Sequence, residues 1–138
     1  MSAKLDLLKA ATDFLYSKEG PEYGDLGGCG DSVNILIEVA KQLRLRGVKM
    51  KFGNAYFPTE GPPGGDPNAH AWMTVDGKRF DPSQHAHKLK VLKYELYDPE
   101  NDQSDLLECI VEFDRRSIRE WARKTLEHLQ GLGFVSRR

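Results

Sequence analysis

Apolar positions along this chain recur with two periods, and the change from one to the other lays out its elements. From Ala3 to Ser17, Leu5, Leu8, Ala11 and Leu15 fall near one helix face, with Leu7 and Phe14 widening the stripe. This helix is expected to stop near Glu19-Gly20-Pro21, where Gly permits the turn and Pro cannot continue the ladder. The glycine-rich run Tyr23-Gly-Asp-Leu-Gly-Gly-Cys-Gly-Asp31 leads straight into a second helical pattern. There Val33, Leu36, Ile37, Ala40 and Leu43 form the apolar face and Gly47 is the expected stop, which puts Cys29 at a helix N-terminus.

The period then drops to two. Val48, Met50 and Phe52 alternate with Lys49 and Lys51, predicting a half-buried strand that runs to Phe57. Pro58 to Asn68 holds three Gly and four Pro and reads as a loop, a candidate lid over whatever follows it. Ala69 to Asp81 reads as a hairpin turning at Asp76-Gly77. Leu92, Tyr94 and Leu96 predict a further strand, with a short helix as the alternative there, and Leu107, Cys109, Val111 and Phe113 another strand. Ser117-Ile-Arg-Glu120 has the form of a capping box opening a last helix, with Ile118, Trp121, Ala122, Leu126 and Leu129 inward and Gly131 as its stop. The expected class is α+β: N-terminal helices packed on a mostly antiparallel sheet, then a C-terminal helix.

Composition narrows the function classes. With 138 residues the chain matches one ordinary domain, expected to span 1–138. Lys+Arg number 20 against 21 Asp+Glu, a net charge of -1, so no bulk charge draws the chain to nucleic acid or a membrane surface. Lys4, Asp6 and Lys9 interrupt any signal-like apolar stretch, and a cytoplasmic monomer is expected. Two cysteines make no disulfide framework, and Cys109, in its apolar alternation, reads as core.

The chemistry gathers around the other cysteine. If Asp76-Gly77 form a two-residue turn, Val75 faces Lys78 and Trp72 faces Asp81, which places His70 one diagonal step from Asp81 on the same sheet face. A slip of one residue would send Asp81 to the other face. A nucleophilic thiolate is favoured by a helix N-terminus and a nearby histidine. Cys29 has the first, His70 offers the second, and Asp81 would orient the ring. The backbone around Gly28 and Gly30 would donate to an oxyanion, and Trp72 reads as core, with walling of the site as the alternative.

Gly28-Cys29-Gly30-Asp31-Ser32, the helix, Leu43 to Val48, a strand, His70-Ala71-Trp72 and Asp81-Pro82-Ser83 together resemble the core of the transglutaminase-like superfamily. The resemblance covers about residues 24–84. It implies a papain-like cysteine hydrolase core in which Cys29 is the nucleophile, His70 the general base and acid and Asp81 the orienting carboxylate. It further implies peptidase or amidase activity on a peptide, protein or small amide, with neither metal nor cofactor. One feature departs from the pattern. Such enzymes commonly carry an upstream Trp or Gln that completes the oxyanion hole, yet Met1 to Gly28 holds no Trp, Gln or Asn. Tyr23, and with less reason Tyr16, is the replacement donor by residue type.

That departure keeps two other readings in view: a binding domain that kept the fold without turnover, and an acyltransferase using the same triad. His85 and His87, read as His-x-His on a strand, are a weaker candidate for zinc beside Cys29 or Asp81, or else line the rim of the cleft.

Overall fold

A computed structural model of the chain describes residues 3–23, 28–58, 66–96 and 111–136. Its elements are α1 (Ala3–Leu15), α2 (Cys29–Gln42), β1 (Val48–Phe57), β2 (Asp66–Val75), β3 (Lys78–Phe80), α3 (Pro82–His87), β4 (Lys93–Leu96) and α4 (Arg115–Gly131). The strands form one sheet in the order β3-β2-β1-β4, every pair antiparallel. The α+β class expected from the order of periodicities is the one found.

The principal contacts arrange the helices in depth. α2 lies against β1 and β2 on one side and against α1 and α4 on the other, so α1 rests on helices rather than on the sheet. Val33, Ile35, Leu36 and Val39 of α2 are accordingly buried completely. They meet Leu8, Ala11 and Leu15 of α1, Ala71, Met73 and Val75 of β2, Phe80 of β3, and Ala122 and Leu129 of α4 in one apolar cluster. Leu36→Ala is expected to cost about 2–5 kcal/mol, the range for a leucine removed from a packed interior. A urea unfolding curve checks it, and a cost below about 1 kcal/mol would contradict this packing.

Helix ends depart from the sequence reading for identifiable reasons. α2 stops at Gln42, not at Gly47: Arg44 takes a left-handed φ of 56°, and the amides of Arg44 and Leu45 bond the carbonyls of Lys41 and Ala40. This is a Schellman closure with Arg in the place usually given to Gly. Gly47 instead, at φ 77°, accepts a hydrogen bond from the Asp76 amide, joining the entry of β1 to the hairpin tip. In α4 the cap is Asp114, whose carboxylate accepts from the Ser117 amide at 2.8 Å, so Ser117 is inside the helix and the expected capping box is not the start. At the other end Gly131 is the last helical residue, and Gly133 supplies the positive φ.

β2 begins at Asp66 and takes in three residues expected in the loop. The rest of the proposed lid, residues 59–65, lies outside the described residues. So do Leu107 and Cys109. Val111 and Phe113 are described but belong to no strand; the Glu112 and Phe113 amides bond the side chain of Asp31 instead. α3 was not anticipated at all. Among the described residues no helix is long and apolar enough to cross a membrane.

Candidate active site

The hairpin register decides the first half of the site. Val75 pairs with Lys78, Thr74 with Arg79 and Met73 with Phe80, the pairing that a two-residue turn at Asp76-Gly77 requires. Asp76 and Gly77 both adopt positive φ, 52° and 83°. His70 and Trp72 therefore share a face with Arg79, while Ala71, Met73 and Phe80 point into the core. Tyr94 of β4 joins that face because it pairs with Ala55, which pairs in turn with Asn68.

Asp81 lies just past β3, and its carboxylate has two tasks. Oδ2 lies 2.7 Å from Nε2 of His70 and accepts the Tyr94 hydroxyl at 2.8 Å. Oδ1 accepts the Gln84 amide at 3.2 Å and so caps α3, whose first residue is Pro82. The step Asp-Pro-Ser is thus a helix start, with Pro at the position that lacks an amide partner in any case. The carboxylate that caps α3 and the one that bonds the imidazole are thus a single side chain.

Cys29 is the first residue of α2, following Gly28 at φ 81°. A Cβ on Gly28 would stand 2.3 Å from the Tyr23 ring, so close approach as well as conformation demands glycine there. The helix's first backbone bond runs from Ser32 to Gly28 at 2.8 Å, and the amides of Cys29, Gly30 and Asp31 have no intrahelical acceptor. Nε2 of His70 hydrogen-bonds Asp81, and Cys29 lies near enough to act on the charge of the ring. With Nε2 turned to the carboxylate, Nδ1 is the nitrogen left for the thiol. All three residues are buried, each at most 6% exposed.

Burial disfavours a charged His70, but the hydrogen bonds and charges of Asp81 and Cys29 outweigh it and raise its pKa to about 9. Aromatic rings enclose the imidazole: Phe57 meets it edge-on at 5.8 Å, and Trp72 stacks at 6.3 Å. Trp72 is buried on this face, outside the main apolar cluster and against the His70 ring.

The oxyanion candidates separate. Tyr23 donates its hydroxyl to the Leu15 carbonyl at 3.2 Å and stacks on Phe113, so it buttresses Gly28 rather than offering its proton to a carbonyl at Cys29. Tyr16 lies nearer the chemistry. Its hydroxyl is 3.0 Å from the Ser32 hydroxyl, which donates to the Cys29 carbonyl at 3.2 Å. Because Ser32 has one proton to give, Tyr16 is the donor to Ser32. Burial first, then the charges of Cys29 and Asp81, push the Tyr16 pKa up to about 12 against the opposing hydrogen bonds of Ser32 and Ser83. The result is a neutral hydroxyl chain bracing the backbone of Cys29 at the end of α2 whose first amides lack an intrahelical acceptor.

Asp31, Ser32 and Ser83 stand within the two motifs, but the sequence reading gave none of them a role of its own. Asp31, fully buried, accepts the Glu112 and Phe113 amides at 3.0 and 2.9 Å and ties that segment to the start of α2. Its position in the first turn was a signal, since the helix dipole favours an acid there.

His85 and His87 lie in α3, not on a strand, and residues two apart on a helix diverge. His85 pairs with Asp13 at 2.9 Å and His87 meets the Tyr16 ring edge-on at 5.0 Å. No group of three or more metal-ligating side chains gathers among the described residues.

A hollow of about 310 Å³ opens beside Asp81, lined also by Arg79, Phe80, Gln84, Val91 and Tyr94. A larger one, about 650 Å³, lies between Leu43, Leu126 and Phe134 and holds no member of the Cys29 site. Comparison of the chain with protein-family models, curated proteins and solved structures finds no match in any of the three.

Proposed function

We propose that this chain is a cysteine hydrolase of the transglutaminase-like class, a peptidase or amidase working through a thioester on Cys29. One observation carries the reading: a buried, doubly anchored carboxylate holds Nε2 of His70, which leaves Nδ1 for Cys29, a residue close enough to act on the charge of the ring. That arrangement is needed to move a proton at sulfur, whereas a histidine satisfied within a core requires no cysteine at a bare helix start.

In the proposed reaction, Nδ1 of His70 takes the Cys29 proton and the sulfur attacks the substrate carbonyl. The α2 amides hold the oxyanion. Collapse breaks the C–N bond, and His70 returns its proton to the departing amine, leaving the acyl group on sulfur. Water then attacks the thioester, gives a proton to His70 and releases the acid as the thiol re-forms. An amine in place of water would make the same site a transferase.

Iodoacetamide separates the alternatives. Cys29 is expected to label at least about tenfold faster than a free thiol at pH 6–7, where an unperturbed thiol of pKa about 8.5 is almost all protonated. His70→Ala is expected to abolish the excess. Labelling no faster than the free thiol in the unmodified protein would favour a binding domain without turnover. An acetyl adduct on Cys29 after incubation with acetyl-coenzyme A, read by intact mass, would favour the acyltransferase.

A further inference from the structure

We infer that Tyr94 is a positioning residue of the Cys29 site, its hydroxyl holding the Asp81 carboxylate against the His70 ring. This rests on the proposed hydrolase reading and adds a fourth side chain to it, one that no motif in the sequence marks.

Asp81 is held from three elements. Gln84 at the start of α3 fixes Oδ1, while His70 of β2 and Tyr94 of β4 share Oδ2 at 2.7 and 2.8 Å. Without Tyr94, Oδ2 would answer to the imidazole alone, and the carboxylate could turn about the bond that Gln84 leaves free. The Tyr94 ring is itself clamped. Trp72 meets it edge-on at 5.0 Å, and the Arg79 guanidinium sits 3.8 Å above its centroid. None of these ring contacts needs the hydroxyl.

Backbone delivers the strand that carries it. A Cβ at Gly53 would stand 2.0 Å from the Glu95 carbonyl, so only glycine lets β4 lie this close to β1. Burial first, then the charge of Asp81, raises the Tyr94 pKa well above the ordinary phenol range, so the hydroxyl stays a donor wherever the site works. Among the described residues, Cys29 of α2 acts on His70, Asp81 acts on Tyr16 after α1, and Arg79 of β3 acts on Tyr94.

Tyr94→Phe keeps every ring contact and removes one donor. Two readouts are expected to move. By NMR titration, the His70 pKa rises by about half a unit, because the carboxylate no longer shares its charge with a second donor. Cys29 alkylation at pH 6–7 slows about tenfold, because the ring has lost its fixed partner. Placing 3-fluorotyrosine at position 94 strengthens the donor without altering packing, and is expected to move the His70 titration downward. This keeps the inference open to failure should Tyr94→Phe not fold.

A His70 titration unmoved or lowered in Tyr94→Phe, or unmoved in the fluorinated protein, would overturn the positioning role. The NMR readout does not depend on turnover. A shifted His70 in a protein whose Cys29 labels no faster than a free thiol would sink the hydrolase and keep the coupling. Fast labelling with an unmoved His70 would sink the Tyr94 role alone.

Discussion

Asp81→Asn is expected to lower Cys29-dependent turnover about 10,000-fold while the protein stays folded. The figure is the cost of the equivalent change in a Ser-His-Asp triad, where the geometry survives and the tautomer does not. Here the reason is specific to the anchors. The Gln84 amide donates to Oδ1, so the asparagine oxygen is held in that place and still caps α3. The asparagine NH2 then occupies the Oδ2 position and presents a donor to Nε2 of His70. Nε2 must become the acceptor, the ring proton moves to Nδ1, and the nitrogen facing the thiol can no longer take its proton.

A pH signature accompanies it. The His70 pKa is raised to about 9 in the folded protein, against about 6.5 for an unperturbed histidine, so its protonation favours the fold. That contribution is complete below about pH 6.5 and is lost as pH rises through about 9. The stability difference between the unmodified protein and Asp81→Asn should therefore be widest below pH 6.5 and narrow on the way to pH 9, as urea unfolding at a series of pH values would report. Turnover within tenfold of the unmodified protein would show that Asp81 does not orient the base.

The second large effect belongs to Gly28. Gly28→Ala is expected to destabilise the protein by about 2–5 kcal/mol and to slow Cys29 labelling together with it. A left-handed φ costs a residue with a Cβ about 1–2 kcal/mol, and forcing an atom into filled space commonly costs about 1–3 more. Both penalties apply, since φ is 81° and the added carbon would meet the Tyr23 ring at 2.3 Å. Tyr23 cannot yield easily, being stacked on Phe113 and bonded to Leu15. Gly77 is the control: its φ of 83° is equally left-handed, but nothing lies within 4 Å of an added Cβ. Gly77→Ala should show the conformational cost alone, about 1–2 kcal/mol. Equal losses at the two positions would mean that Tyr23 does not press on the entry to α2.

Much of this site was legible because it is built from local rules. Alternation and an Asp-Gly turn define a register, and the register alone carries His70 and Asp81 to one face. A glycine run before an amphipathic stretch defines a helix start, which places Cys29. By contrast, the α2 terminus was misplaced because Arg44 adopts a conformation that pattern reading reserves for glycine, leaving Gly47 for a hairpin contact with Asp76. α3 escaped notice because six residues make less than two turns, too few for a period to register.

What the chain order alone determined is the class of the long described elements, the pairing within the hairpin, and the candidate triad of Cys29, His70 and Asp81. Tertiary structure decided which hydroxyls serve them. Tyr16 and Tyr23 are the same residue type seven positions apart, and only packing turns one toward Ser32 and the other toward the Leu15 carbonyl. Tyr94 reaches Asp81 from a strand joined to the hairpin through β1, a contact no periodicity encodes. Local patterns report which way a side chain faces; what it meets there is set by elements distant in sequence, through close approaches such as the one Gly53 permits between β1 and β4.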